Sequence, residues 1–247
     1  MLEIKNVASG YLKKEVLRDI TATFKKGELV SIIGANGCGK STLLKTLTGI
    51  IKATKGEILI DKAPLNSVNI AKKIAYLPQA KVLPNMTVGQ LVLHGRFPYL
   101  HYPRRYSQKD KDLALLAMKE LSIDLLSGTP LSELSGGMIQ NAYIAMALCQ
   151  NGDFILLDEP ATYLDIQHQL SLMNTLKSLT QKGKGIITVM HDLPLAFSFS
   201  DKILVMNDGK ILALDSPENV LEKVENLFGI RLEKENESYY YNYEVTK

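Results

Sequence analysis

Two stretches of this sequence could bind phosphate. Gly34 to Ser41, GANGCGKS, fits the pattern G-x-x-x-x-G-K-[ST] at every fixed position. Such a loop wraps phosphates with backbone N–H groups, because glycine brings no Cβ to hold the ligand off. Gly34, Asn36, Gly37, Cys38, Gly39, Lys40, Ser41 and Thr42 would form the cradle. Lys40 would reach the terminal phosphates and Ser41 would ligate Mg²⁺. Far downstream, LSGGMIQ (Leu134 to Gln140) sets Ser135, Gly136 and Gly137 before a helical run, NAYIAMAL. Backbone N–H groups at a helix start also suit an anion. This second stretch carries no lysine, and nothing local explains why one chain should have two such cradles.

Carboxylates and neutral polar groups stand at other predicted strand ends. FILLDEP (Phe154 to Pro160) closes a buried strand with Asp158 and Glu159, at the edge where open α/β sheets place their ligands. Asp158 would join the Mg²⁺ shell, directly or through water. Glu159 would orient or deprotonate an attacking water, a role worth ~10²–10⁴ in rate. GIITVMHD ends an apolar strand at His191, which is either structural or within reach of a terminal phosphate. IAYLPQ ends at Gln79, a side chain that is structural or reaches water or metal. Tyr11 is either packing or a stacking face for an adenine ring. Cys38 reads as a small residue that fits its loop. Were its thiol accessible, alkylation would block nucleotide binding.

These groups need strands and helices to hold them. LEIKNV and ITATF alternate as strands do, and ELVSII is a short apolar run ending at Gly34. KSTLLKTLTG has helical spacing, with Gly49 as its stop. GEILI and IAYL read as further strands. From Thr87 to about Gln150 the pattern turns helical, which predicts a helical lobe of roughly 85–150 inserted into a sheet-based one. DFILLD and GIITVM return to buried strands, separated by the helix IQHQLSLMNTLKSLTQKG, closed by Gly183. Asp208-Gly209 between two alternating runs signals a hairpin. Strands alternating with helices imply an α/β fold with a mostly parallel sheet and right-handed crossovers. The domain is expected to span 1–225. Residues 226–247, with YYYNY (Tyr239 to Tyr243), form a polar tail that is an edge strand or a frayed end.

Composition narrows the function classes. With 247 residues, 46% hydrophobic, the chain can bury a sizeable core as one domain or two lobes. A net charge of +3, spread along the chain, does not argue for nucleic acid. The densest basic run, PRRYSQKDK, is cut by an aspartate and reads as a solvated helix start, or as a contact for an acidic partner. Two cysteines, Cys38 and Cys149, give no disulfide framework and suit a reducing cytoplasm. MLEIKNVASG has no signal-peptide pattern. No apolar run approaches the ~20 residues that span a bilayer. The chain is expected to be soluble by itself, with any membrane role coming through a partner.

Taken together, Tyr11, GANGCGKST, Gln79, LSGGM, FILLDEP, YLD (Tyr163 to Asp165) and His191 resemble, in order and spacing, the ATP-binding cassette (ABC) ATPases. The resemblance implies a P-loop NTPase core with a mostly parallel sheet, an antiparallel β subdomain and an inserted α-helical subdomain. It also accounts for the second cradle. In that family two copies close head to tail, and each ATP lies between one copy's phosphate loop and the other's LSGG helix. Ser135, Gly136 and Gly137 would hold the partner's nucleotide, and Asp165 would lie across the interface. Tyr11 would stack adenine, Gln79 would sense Mg²⁺ and transporter contact, and His191 would contact the γ-phosphate. TVGQLVLHGRFPY and EPATYLDIQHQ, with TYLD where SALD is more widespread, are similar to ATPases of importers for iron–siderophore, haem or cobalamin complexes.

That resemblance implies a membrane permease, met by the stretch from Gln79 through GRFPY, and indirectly an extracytoplasmic solute-binding protein. It implies no nucleic acid, and a place at the cytoplasmic face of the cell membrane. Alternatives are a metal-ion importer, or a soluble ABC protein acting as a nucleotide-switched binding module. The chain departs from the family at Met138, where glutamine is usual, and at Asn141 and Met146, where arginine is usual. Methionine cannot donate a hydrogen bond to phosphate or ribose, and two positive charges are expected to be lost near the shared nucleotide. ATP binding and dimerisation are expected to persist, with the hydrolysis rate and the affinity of the closed dimer the properties affected.

Overall fold

In the computed structural model, which describes residues 1–12, 14–65, 67–79 and 83–242, β1 (Leu2–Tyr11) and β2 (Lys14–Phe24) pair antiparallel. β3 (Leu29–Gly34), buried at every position, leads through the glycine-rich loop into α1 (Lys40–Leu47). Gly49, at φ 71°, sits just past the end of α1 and turns the chain away. β4 (Ala53–Ile60) and β5 (Ala63–Pro64) complete an antiparallel sheet in the order β2-β1-β4-β5. α2 (Ser67–Lys73) then feeds β6 (Ile74–Leu77).

The next labelled elements are all helices: α3 (Val88–His94), α4 (Gln108–Glu120) and α5 (Gly136–Cys149). Each starts on a hydroxyl that accepts a first-turn N–H, from Thr87, Ser107 and Ser135 respectively. Thr87 and Ser107 form full capping boxes with Gln90 and Asp110. After them come β7 (Phe154–Asp158), α6 (Ile166–Gln181), β8 (Gly185–Val189), α7 (Leu193–Phe199), β9 (Lys202–Asn207), β10 (Lys210–Asp215) and α8 (Pro217–Phe228). The main sheet runs β10-β9-β3-β8-β7-β6 and is parallel except for β10. The β9–β10 turn is the expected Asp208-Gly209 hairpin, with both residues at positive φ.

Because side chains alternate across a strand, the buried strands feed two separate apolar layers. Val30, Ile32, Leu156, Ile187 and Leu204 face Leu43, Leu44 and Leu47 of α1 and the antiparallel sheet. Leu29, Ile33, Leu157, Ile186 and Val205 face the layer made by α5, α6, α7 and α8, which is continuous with the core of the helical lobe. Each fully buried leucine contributes about 1.5–3 kcal/mol. The sheet is thereby clamped on both faces, and its strand ends become fixed points.

Within the expected tail, residues 226–242 are arranged neither as an edge strand of the main sheet nor as a frayed end. Glu225 lies inside α8, and β11 (Leu232–Glu235) and β12 (Ser238–Tyr241) form their own antiparallel hairpin. The hairpin docks because it buries apolar groups. Leu232 and Tyr239 join the larger core, the Tyr239 ring meets Phe197 edge-on at 5.2 Å, and the Tyr239 N–H donates to Ser198 Oγ at 2.9 Å. Tyr243 lies outside the described residues. Among the described residues, no helix is long and apolar enough to cross a membrane.

Candidate active site

Gly34, Gln79, Asp158 and His191 sit at or just beyond the C-terminal ends of the adjacent parallel strands β3, β6, β7 and β8. Gly39 begins α1 at φ 107°, a conformation suited to glycine, and a Cβ there would strike Leu17 at 2.8 Å. No side chain caps α1, so its first N–H groups are left to a ligand. Asn36, Gly37, Gly39, Lys40, Ser41 and Thr42 line one cleft together with Glu159. Lys40 is buried and curls back on its own loop, donating to the Gly34 carbonyl at 2.8 Å and the Ala35 carbonyl at 3.1 Å. Cys38 is only 5% exposed, and burial pushes its thiol up against the opposing pull of Lys40. The condition for alkylation, an accessible thiol, is therefore not met.

Asp158 ties the loop to β7. Its Oδ1 accepts from Ser41 Oγ at 2.9 Å and its Oδ2 from Tyr76 OH at 3.2 Å. Burial raises the Asp158 carboxyl above the ordinary range, Glu159 raises it further, and the two hydroxyl bonds oppose the rise. The Tyr76 phenol is pushed well up, by burial and then by Asp158, and so acts as a donor here. Sequence reasoning missed Tyr76, whose only signal was its place on the strand that ends at Gln79.

Glu159 stands at φ 51°, a left-handed conformation that costs a non-glycine residue about 1 kcal/mol or more. Its side chain is gripped from several elements. Gln79 Nε2 donates to Oε2 at 2.5 Å, Thr162 Oγ1 donates to Oε2 at 3.3 Å, and His191 Nε2 lies 2.6 Å from Oε1. Facing a carboxylate, Nε2 is the protonated nitrogen of the His191 ring. Gln79, Glu159 and His191 are thus one hydrogen-bonded unit beside the Ser41–Asp158 pair. Thr162 was also missed.

Other expected site residues stand elsewhere. Tyr11 is 47% exposed at the end of β1 and belongs to neither apolar core. Ser135 caps α5 by accepting the Met138 N–H at 3.4 Å, and Asp165 caps α6 by accepting the His168 N–H at 2.9 Å. Among the described residues, no hydrogen bond or ion pair joins Ser135, Gly136, Gly137 or Asp165 to the loop at 34–42. Met138 is exposed in the first turn of α5. The expectation that Met146 lies near the same end needs correction. It is eight residues further on, about 12 Å along the axis, and packs against the helical core. Within the GRFPY stretch, Arg96 is buried, bonding Asp110 at 2.9 Å and stacking 3.8 Å over Tyr99, while Phe97 is turned outward.

Residues 17–162 match the family model described as ABC transporter. The chain is 38% identical over 227 residues to the petrobactin import ATP-binding protein FpuD of Bacillus anthracis, covering 90% of this chain and 83% of that one. It is 36% identical to the ferric enterobactin transport ATP-binding protein FepC of Escherichia coli (strain K12), covering 90% and 84%. Among solved structures, it is similar to a dimeric, post-hydrolysis state of the ATP-binding cassette MJ0796 bound to ADP and Pi. The TM-score there is 0.74 and the identity 29%, over 88% of this chain and 99% of that one. A glycine-rich loop running into α1, acidic residues at the end of β7 and a serine-capped LSGG helix all lie within or across this match, and the chain belongs to the ABC transporter family.

Proposed function

We propose that this chain is the ATP-hydrolysing subunit of an ABC importer, working at the cytoplasmic face of the cell membrane on a separate integral permease. The observation that carries the reading is the division of phosphate-suited groups between two surfaces. One holds Lys40, Ser41, Asp158, Glu159, Gln79 and His191 in or beside a single cleft. The other, Ser135 to Gly137 with Asp165, is not bonded to it among the described residues, which suits an ATP shared between two head-to-tail copies.

Each group then has a task that its geometry supports. The loop amides and Lys40 hold the phosphates, with the lysine exchanging its carbonyl partners for phosphate oxygens. Tyr11 offers its exposed ring to the adenine. Ser41 Oγ and Asp158 are hard oxygen donors already in mutual contact, and the Gln79 amide stands next to Glu159. Among the described residues there is no cluster of three or more acidic, His or Cys side chains that could cage a metal. A site of one hydroxyl and one carboxylate suits Mg²⁺, which binds through few protein ligands plus substrate phosphates. When bound, Mg²⁺ supplies charge neutralisation at the phosphates. Glu159 takes the proton of the attacking water, and the imidazole of His191, now bonded to Glu159, turns toward the γ-phosphate side. Ser135 and the amides of Gly136 and Gly137 close over the partner's nucleotide.

The names of the relatives support a cargo of the iron–siderophore type, and the wider resemblance extends this to haem or cobalamin complexes, with an extracytoplasmic binding protein delivering the cargo. No nucleic acid takes part. Glu159→Gln tests the chemistry: ATP binding should persist, turnover should fall at least ~10²-fold, and the ATP-bound dimer should accumulate. Wild-type turnover in that variant removes Glu159 from the base role. Co-purification with an apolar permease, followed by ATPase assays with and without ferric siderophore and binding protein, tests the cargo. Stimulation by a bare metal ion and not by chelates would replace the siderophore assignment.

A further inference from the structure

The N-termini of α5 and α6 meet at one side chain to which the site described above gives no task. A Cβ built on Gly137 would lie 2.4 Å from His168 Cδ2 and 3.0 Å from its Nε2. The imidazole edge therefore lies directly on the backbone of the LSGG loop. The opposite side of the same ring is held by Asp165: Nδ1 is 2.8 Å from Oδ1 and 2.9 Å from Oδ2. Asp165 Oδ1 also accepts the His168 N–H as the cap of α6. These bonds, the backbone one first, hold the Asp165 carboxyl below the usual range. It is thus an acceptor, and Nδ1 carries the ring proton.

We propose that His168 is a positioning residue for hydrolysis by the dimer, clamping Gly137 to Asp165 so that both segments meet the partner's nucleotide in one fixed arrangement. The inference rests on the two-copy reading given above. It gives Gly137 a neighbour from within the chain: a side chain there would push the exposed ring out of its contact, quite apart from any phosphate. It also gives Asp165 an in-chain partner, so that the cap of α6 and the amides of the LSGG loop form one rigid surface. His168 itself need not touch ATP. Its effect comes through the placement of donors, where an error of about 1 Å can cost ~10²-fold in rate.

The experiment uses the full chain in a Glu159→Gln background for ATP-dependent dimerisation, measured by analytical ultracentrifugation. The Glu159 form, assembled with its permease, is used for kcat and KM. His168→Ala should leave ATP affinity of the monomer unchanged, because the loop at 34–42 is untouched, which also verifies folding. It should weaken the ATP-bound dimer and lower kcat, each by about tenfold, with KM moving far less. His168→Asn places an amide N–H near the Nδ1 position and should recover most of the loss. Equal dimer affinity and kcat in His168→Ala would overturn the clamp while leaving the two-copy reading intact, and so would equal impairment of the Ala and Asn variants. If Glu159→Gln with His168 present does not dimerise on ATP, the two-copy reading itself falls, and the clamp with it.

Discussion

The two phosphate-suited surfaces are built in opposite ways. Around Glu159, the groups hang from the ends of parallel strands buried at every position but Tyr76, and they bond one another across 80 residues of sequence or more in the Gln79 and Tyr76 contacts. Around Ser135, the groups are helix caps at the surface, and among the described residues their hydrogen bonds stay within three or four residues of sequence. The first surface is fixed by the core and holds its charges in a dense network. The second keeps its donors exposed, with Met138 in the open beside them. A chemical centre needs the first kind of support, because a misplaced base loses its catalysis. A surface that must meet another molecule needs the second.

The contrast can be broken or sharpened by substitution. The largest effect on nucleotide binding is expected at Lys40: Lys40→Ala removes charge-assisted bonds worth ~1.5–3 kcal/mol each and should weaken ATP binding by the monomer ten- to a hundredfold. Unchanged affinity by calorimetric titration would mean that the strand-end cleft is not where ATP first binds. Ser135→Ala should do the reverse, leaving monomer affinity intact while weakening the ATP-bound dimer. It should also lower stability by about 1 kcal/mol through the lost cap of α5, read as a shift in the urea midpoint. A smaller change is expected from Met138→Gln, which adds one neutral donor on the exposed side. It should speed turnover or tighten the dimer about threefold to tenfold, and identical kinetics in the assembled transporter would count against a contact at that position. Cys38 should show the least: native protein treated with a thiol alkylator should keep full nucleotide binding and a free Cys38 by mass spectrometry, and rapid labelling would show that the loop opens.

Much of the first surface was legible in the sequence. Its residues close short apolar runs, and a buried strand announces its end by the residue type that follows. Gly34 to Ser41, Asp158 and Glu159 were readable on those grounds, whereas position alone left His191 and Gln79 open between a structural and a functional role. Tyr76 and Thr162 were not, because a hydroxyl inside a strand or turn acquires meaning only from a carboxylate supplied by folding. The error at Met146 has a simple cause. A sequence offset of eight is a long way along a helix, and the side chain there belongs to the lobe's core. The tail carried a signal that went unread. Asn236, at φ 55° between β11 and β12, is a turn residue of the kind that starts a hairpin. The packing of Tyr239 on Phe197, by contrast, could not be seen without the fold. His168 lay in plain view within EPATYLDIQHQ, yet only three-dimensional proximity to Gly137 gave it a purpose.

The hairpin of β11 and β12 bears on how the protein can be handled. It roofs α7, the helix that begins two residues after His191, and Tyr239 shields Phe197 on that helix. A shortened version cut ahead of Leu232, made for crystals or a tidier expression vector, would strip this roof. The bared apolar surface would favour clumping in concentrated stocks.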